Sequence, residues 1–384
     1  VAWYTQGLAR ALAGRGARVA VVAPGERATL RTELDGTVQV HRCFSRGPAG
    51  AMRAAGAALA SGSPVVHVQH EAFLYGGPES VPSVLMGLAR LRQAGRGPVV
   101  TMHQVVEPAS VDRGFTDIHR VRIPPPLARA GLATMQGSVA RIASTVIVHE
   151  PAFRRVVPGS VVLPLGGDHS VGLPAGEVEC RRAELRAAAG AGPDALLVLC
   201  FGFVAPYKGF EAVLQAARLA RPDVRVVVAG AEHPRLKGQG YLAGLQHRYS
   251  DAAFFTGFVP DDEVGAWFRA ADAVVLPYPQ PFSSSGVLAH AISFGVAALV
   301  SPQMGEVIGL PPEHSIPIDP VAMAESLSEL ALDRSRLAEL AARTAALRAG
   351  RSWEELADRH LELYQEVINA QSAPRRTARR GSRR

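Results

Sequence analysis

Cysteine is nearly missing from this chain: 384 residues carry only Cys43, Cys180 and Cys200. Three thiols so far apart make neither a disulfide framework nor the thiolate set of a structural zinc site, and they suit a reducing cytoplasm. No H-E-x-x-H pair is present, so no metal is expected. Long apolar runs are missing too. None approaches the ~18 residues of a membrane-spanning helix. The opening residues show neither the charged nor the apolar stretch of a secretion signal, and a cytoplasmic setting is the expectation. The final stretch "SAPRRTARRGSRR" holds six arginines and no acid, which accounts for nearly all of the net charge of +7. It also has no aromatic side chain to stack on bases, so specific nucleic-acid binding is not expected. A solvated tail is the expectation, with peripheral contact to an anionic membrane as the functional alternative.

What is present is a globular composition, 48% hydrophobic and 20% charged, long enough for two domains. Short β-branched runs alternate with helical patterns: "ARVAVVAP", "TVQVHRC", "SPVVHVQH", "GPVVTMHQ" and "STVIVHE", then "ALLVLCFGF", "DVRVVVAGAE", "AFFTGF", "DAVVLPY" and "VAALVSP". Alternation of this kind predicts βαβ units and mostly parallel sheets with helices on both faces. The pattern pauses around "PLGGDHSVGLPAGE". The expected organisation is an N-terminal domain over 1–165, a linker over 166–193, a second domain over 194–350, a final helix over 351–370 and a disordered tail over 371–384. The final helix opens with the capping-box pattern Ser352 to Glu355. The fold class is α/β, two doubly wound Rossmann-like domains facing a central cleft.

Open parallel sheets bind ligands beyond the carboxyl ends of their strands. Those ends carry His70-Glu71, His103 and His149-Glu150 in the first domain. In the second, "GFVAPYKGF" places Gly202 after the strand and Lys208 at the opening of a helix, where an ammonium can meet a phosphate. Further on, "PFSSSGVLAHAISFG" reads as loop, helix and glycine stop, with Ser284, Ser285 and Gly286 at the helix start. Free N–H groups there suit an anion. One lysine and one helix N-terminus together suit a diphosphate whose charge grows as it leaves.

Together with "FFTGFVPDDEVGAWFRAADAVVLPY" and "SWEELADRHLELYQEV", these stretches resemble retaining GT-B glycosyltransferases of family 4 over about residues 1–368. The resemblance implies a nucleotide-sugar donor held mainly by the C-terminal domain, an acceptor held mainly by the N-terminal one, and no obligatory metal or other cofactor. It implies that Lys208 meets the donor diphosphate and that Ser284, Ser285 and Gly286 form the loop beside the phosphates and sugar. It also implies that His103 lies near the transferred sugar. The chain departs from the family in three ways. The two positions where the family carries glutamates are Phe282 and His290, of which His290 can still hydrogen-bond a ribose. Phe203 stands where an arginine is common, leaving Arg221, Arg235, Lys237 or a first-domain arginine to compensate. The usual opening strand and its glycine turn, about 15–25 residues, do not precede Val1, so a truncated or misplaced start is expected.

The leading expectation is a sugar transferase acting on a glycan, lipid-linked or small-molecule acceptor, by front-face displacement assisted by the leaving group. Two alternatives remain open. One is an impaired relative that binds a nucleotide sugar or supports a partner enzyme. The other is an epimerase using Glu71, Glu107 and Glu150. The helices around 88–96 and 126–144 are basic and apolar, as an interfacial helix would be, or as an outer helix of the sandwich would be.

Overall fold

The computed structural model describes residues 1–25, 31–71, 74–118, 121–167, 175–280 and 284–372. The expected tail over 371–384 lies almost wholly outside them, as do Phe282 and part of the expected linker. The chain divides into two compact units, Val1–Val148 with Val156–Leu163 and the segment from Glu354, and His149–Arg155 with Pro164–Trp353.

In the first unit the described strands make two sheets. β1 (Ala20–Pro24) pairs in parallel with β3 (Val38–Phe44), and β2 (Arg31–Asp35), which the sequence pattern missed, pairs antiparallel with β3. The second sheet is parallel, β4 (His67–His70), β5 (Val99–Met102), β6 (Thr145–Val148) and the short β7 (Val161–Val162). The single continuous sheet expected from the alternation is therefore in two parts among the described residues, with β1 and β4 each paired on one side. The helices Val81–Gln93 and Pro125–Ile142, which the sequence also allowed to be interfacial, pack on each other and bury Leu88, Leu91, Met135 and Val139. No helix among the described residues is long and apolar enough to cross a membrane.

The second unit follows the predicted pattern closely. Five parallel strands lie in the order β10 (Ala253–Gly257), β9 (Val224–Ala229), β8 (Leu196–Phe201), β11 (Ala273–Leu276) and β12 (Ala297–Val300). β8, β9, β11 and β12 are almost wholly apolar and buried, the signature of strands covered on both faces. The helix Ala175–Ala188, expected within the linker, instead packs against the helix Asp261–Ala270 as part of this unit. Arg186 secures it: its guanidinium donates to Asp272 at 2.9 Å and to the carbonyls of Ala270 and Ala195, and Asp272 accepts from Leu197 N–H at 2.8 Å. A charge taken out of water needs such complete pairing.

β12 is an edge strand, and its outward groups are met by two side chains and one backbone N–H. Thr344 Oγ1 accepts from Ala298 N–H at 3.1 Å, His314 Nδ1 donates to Ala298 O at 2.9 Å, and Ile316 N–H donates to Val300 O at 2.8 Å. These contacts do for the edge what a neighbouring strand would do. Thr344→Val keeps the shape but strands the Ala298 N–H in an apolar site. It should cost ~1–3 kcal/mol, read as a lower denaturation midpoint.

Candidate donor site and the histidine network

Parallel pairing puts the carboxyl ends of β8 to β12 along one edge of the second unit. β8 ends at Phe201, and Gly202 turns the chain with φ +100. The next turn, Pro206–Lys208, carries Lys208 and stops at Gly209. Gly209 has no alternative: its φ is +67, and a Cβ there would meet Pro277 O at 2.3 Å. That close approach holds Lys208 against the segment after β11. Lys208 Nζ donates to Tyr278 Oη at 2.6 Å and lies 4.4 Å from the ring centre. Desolvation lowers the ammonium pKa, while burial raises that of the Tyr278 phenol. The ammonium has three protons, and Tyr278 accepts one of them.

Ser285 caps the helix Gly286–Phe294, accepting from Leu288 N–H at 3.3 Å. Gly286 is exposed at the first position, with open space where a side chain would stand. Ser284 Oγ is enclosed and makes no hydrogen bond of ordinary geometry within the described residues. Beside it is Glu150. Burial pushes that carboxyl up to about 7, against the opposing pull of the Ser284 hydroxyl and the Arg351 guanidinium. His149 is buried next to it. Thus His149-Glu150, read from sequence with His70 and His103, is placed with the second unit.

His290 lies on the same helix among phenyl rings, 5.4 Å from Phe268 and 6.4 Å from both Phe201 and Phe294 between ring centres. Burial lowers its pKa to about 4, so it is neutral near pH 7. Phe203 is exposed and meets His233 edge-on. Of the cations considered as compensation for Phe203, Arg221 precedes β9, at the opposite edge, and pairs with Asp223. Tyr278 and Arg351 were not foreseen. A tyrosine directly after a strand and an arginine shortly before the final helix carry no distinguishing pattern.

In the first unit, His70 and His103 end neighbouring strands, and His103 N–H donates to His70 O at 2.9 Å. His70 Nδ1 is enclosed without a partner among the described residues, and burial lowers the His70 pKa to about 4. Glu71 follows it, half-buried. His103 belongs to a hydrogen-bonded chain. Its Nε2 donates to Gln69 Oε1 at 2.7 Å, and Gln69 Nε2 donates to His67 Nε2 at 3.4 Å. Thr101 Oγ1 also lies 2.7 Å from His67 Nε2, and His67 Nδ1 donates to Tyr364 Oη at 2.6 Å. Tyr4 meets the His103 ring edge-on at 5.0 Å. The amide of Gln69 therefore sets both the tautomer and the plane of His103. Gln69 does not titrate, so no sequence signal marks it.

The raised Glu150 pKa has a measurable consequence. Between its unfolded value of 4.5 and about 7, the folded protein keeps a proton that the unfolded chain releases, so stability falls as pH rises through that window. Glu150→Gln removes the dependence. It should match the parent near pH 4 and exceed it near pH 8 by roughly 3 kcal/mol at most, seen as diverging melting temperatures across a pH series.

The family model described as "Glycosyl transferases group 1" matches residues 195–333. Among curated proteins, the D-inositol 3-phosphate glycosyltransferase of Xylanimonas cellulosilytica is 30% identical over 204 residues, covering 52% of this chain and 48% of that protein. The protein of the same name from Thermobispora bispora is 28% identical over 211 residues, covering 49% and 47%. The chain spans about half the length of the curated relatives it matches. Among solved structures, sucrose-phosphate synthase from Thermosynechococcus elongatus superposes with a TM-score of 0.74 at 20% identity, over 96% of this chain and 93% of that one. Anabaena HepE in complex with UDP-glucose gives 0.67 at 16% identity, over 94% and 95%. The fold is therefore the α/β type of the GT-B glycosyltransferases, and the segment 195–333 within it is similar in sequence to the group 1 glycosyltransferases.

Proposed function

We propose that this protein is a retaining, metal-independent glycosyltransferase of family 4 that takes its sugar from a nucleoside diphosphate donor. One observation carries the reading. An enclosed lysine, Lys208, held by Tyr278, shares the strand-end edge of one unit with the capped N-terminus at Ser285–Gly286. A desolvated ammonium and free helix N–H groups hold a diphosphate, and they hold it more strongly as its charge grows on leaving. Low local dielectric raises the value of each contact. The group 1 match over 195–333 supports the same reading. HepE was solved with UDP-glucose, which makes that the first donor to try.

In this reading His103 orients the transferred sugar, and Gln69 is a positioning residue behind it. The leaving diphosphate takes up the acceptor proton on the front face, so no carboxylate nucleophile is needed. The acceptor is a glycan, a lipid-linked saccharide or a small molecule. The setting is the cytoplasm, with the inner face of the membrane as the place of any peripheral contact. The competing reading is a relative that binds donor without turnover, favoured by Phe282 and His290 in place of acids.

Thermal-shift titration with a panel of nucleoside diphosphate sugars, paired with release of free nucleoside diphosphate, tests this. One donor should raise the melting temperature and release nucleotide slowly, and Lys208→Ala should weaken both by ~10²-fold or more. Folded protein that shows no shift and no release with any donor overturns the proposal, and a shift without release selects the binding-only reading. Gln69→Leu should lower kcat about tenfold while leaving donor affinity unchanged. Equal losses in both would make Gln69 a structural residue only.

A further inference from the structure

The second unit has a cavity of about 420 Å³ at the opposite edge of its sheet, beside Asp272 at the start of β11. Phe268 and Phe294 contribute its apolar wall, while Arg182, Arg269 and Arg334 supply cations. Its charges do not cancel. Asp272 is engaged by Arg186 at 2.9 Å and by Leu197 N–H at 2.8 Å, and Arg182 and Arg334 reach it only at 3.7 and 3.9 Å. Arg182 also lies 3.7 Å from Glu179, an exposed carboxylate, and Arg334 donates to the carbonyl of Asp194. Arg269 Nε is enclosed and has no hydrogen-bond partner among the described residues, while its guanidinium sits 5.6 Å from the centre of the Phe294 ring. An enclosed donor left unpaired is costly, and a guanidinium fork fits an oxyanion two-fold.

We propose that this cavity binds a small oxyanion carried on an apolar or aromatic body, and that its occupancy is linked to the donor loop. The arginines take the phosphate or carboxylate group, and Phe294 with Val178 and Leu337 takes the body. The helix Gly286–Phe294 ends at the cavity, and its last carbonyls would repel an anion. Arg348 Nε covers one of them, donating to Ile292 O at 2.8 Å. The same nine-residue helix, ~13 Å long, begins at Ser285 in the donor loop. Phe268 and Phe294 touch both the cavity and His290. An occupant therefore presses on the far end of the element that presents the phosphate-facing loop. Any such linkage is reciprocal. The binding claim stands apart from the donor-site reading, and only the linkage rests on it.

Calorimetric titration of the whole protein with phenyl phosphate, with inorganic phosphate for comparison, tests the site without any turnover. Phenyl phosphate should bind saturably and at least tenfold more tightly than inorganic phosphate. Arg269→Lys, which keeps the charge but loses the fork, should weaken it at least fivefold. Ala338→Phe, which fills the cavity from the helix Arg334–Ala346 without removing a charge, should abolish it. Lys208→Ala should leave it unchanged. The site is overturned if phenyl phosphate shows no saturable binding at millimolar concentration, or if Lys208→Ala abolishes binding while Ala338→Phe does not. The linkage predicts a change of at least threefold in UDP-glucose affinity at saturating phenyl phosphate, absent in Ala338→Phe. An unchanged affinity, measured on protein that binds both ligands, overturns it.

Discussion

Parallel strand pairing is the constraint from which the second unit follows. Parallel neighbours cannot be joined by tight turns, so each of β9 to β12 is reached from the strand before it by a crossover that covers a sheet face. All five strands then point the same way, and the sheet acquires two chemically different edges. At the carboxyl ends lie Gly202, Lys208, Tyr278 and the Ser284–Gly286 loop. At the amino ends lie Asp272, its arginines and the aromatic cavity. Neither cluster could form if one strand were reversed.

The carboxyl-end edge carries few charges, and its lysine is partly withdrawn from solvent. A lone lysine in water would be a weak recognition element. Here the Gly209–Pro277 approach presses the turn inward, Tyr278 fixes the ammonium, and desolvation sharpens its field. Glu150 responds to burial in the same sense, holding its proton toward neutral pH. A cation and an acid in one unit are thus biased toward less charge than they would carry in solvent.

Much of this was legible in the residues, and the failures have reasons. Strands of this sheet announce themselves as short apolar runs bounded by turn residues, which is why β8 to β12 fall within a few residues of their predicted places. β2 escaped because "RTELD" is polar and half-exposed, with no apolar run to betray it. The glycine- and proline-rich stretch before the helix Ala175–Ala188 suggests a linker, yet the bonds of Arg186 to Asp272 and to the carbonyls of Ala270 and Ala195 tie that helix to the sheet. Lys208 and Ser284–Gly286 were visible as turn chemistry beside strands. Tyr278, Arg351 and Gln69 were not, since their roles come from contacts between distant segments rather than from any local spacing.

The edge of β12 has a consequence for how this chain can be divided. Its unpaired backbone is satisfied by Thr344, His314 and Ile316, all of which follow the strand in sequence. A fragment ending soon after Leu310 would retain all five strands but lose every one of those partners. It would present a naked, apolar β-edge to solvent, ready to pair with another copy of itself. During synthesis the same edge stays uncovered until residues 314–344 emerge, so this short following segment shields the sheet that precedes it.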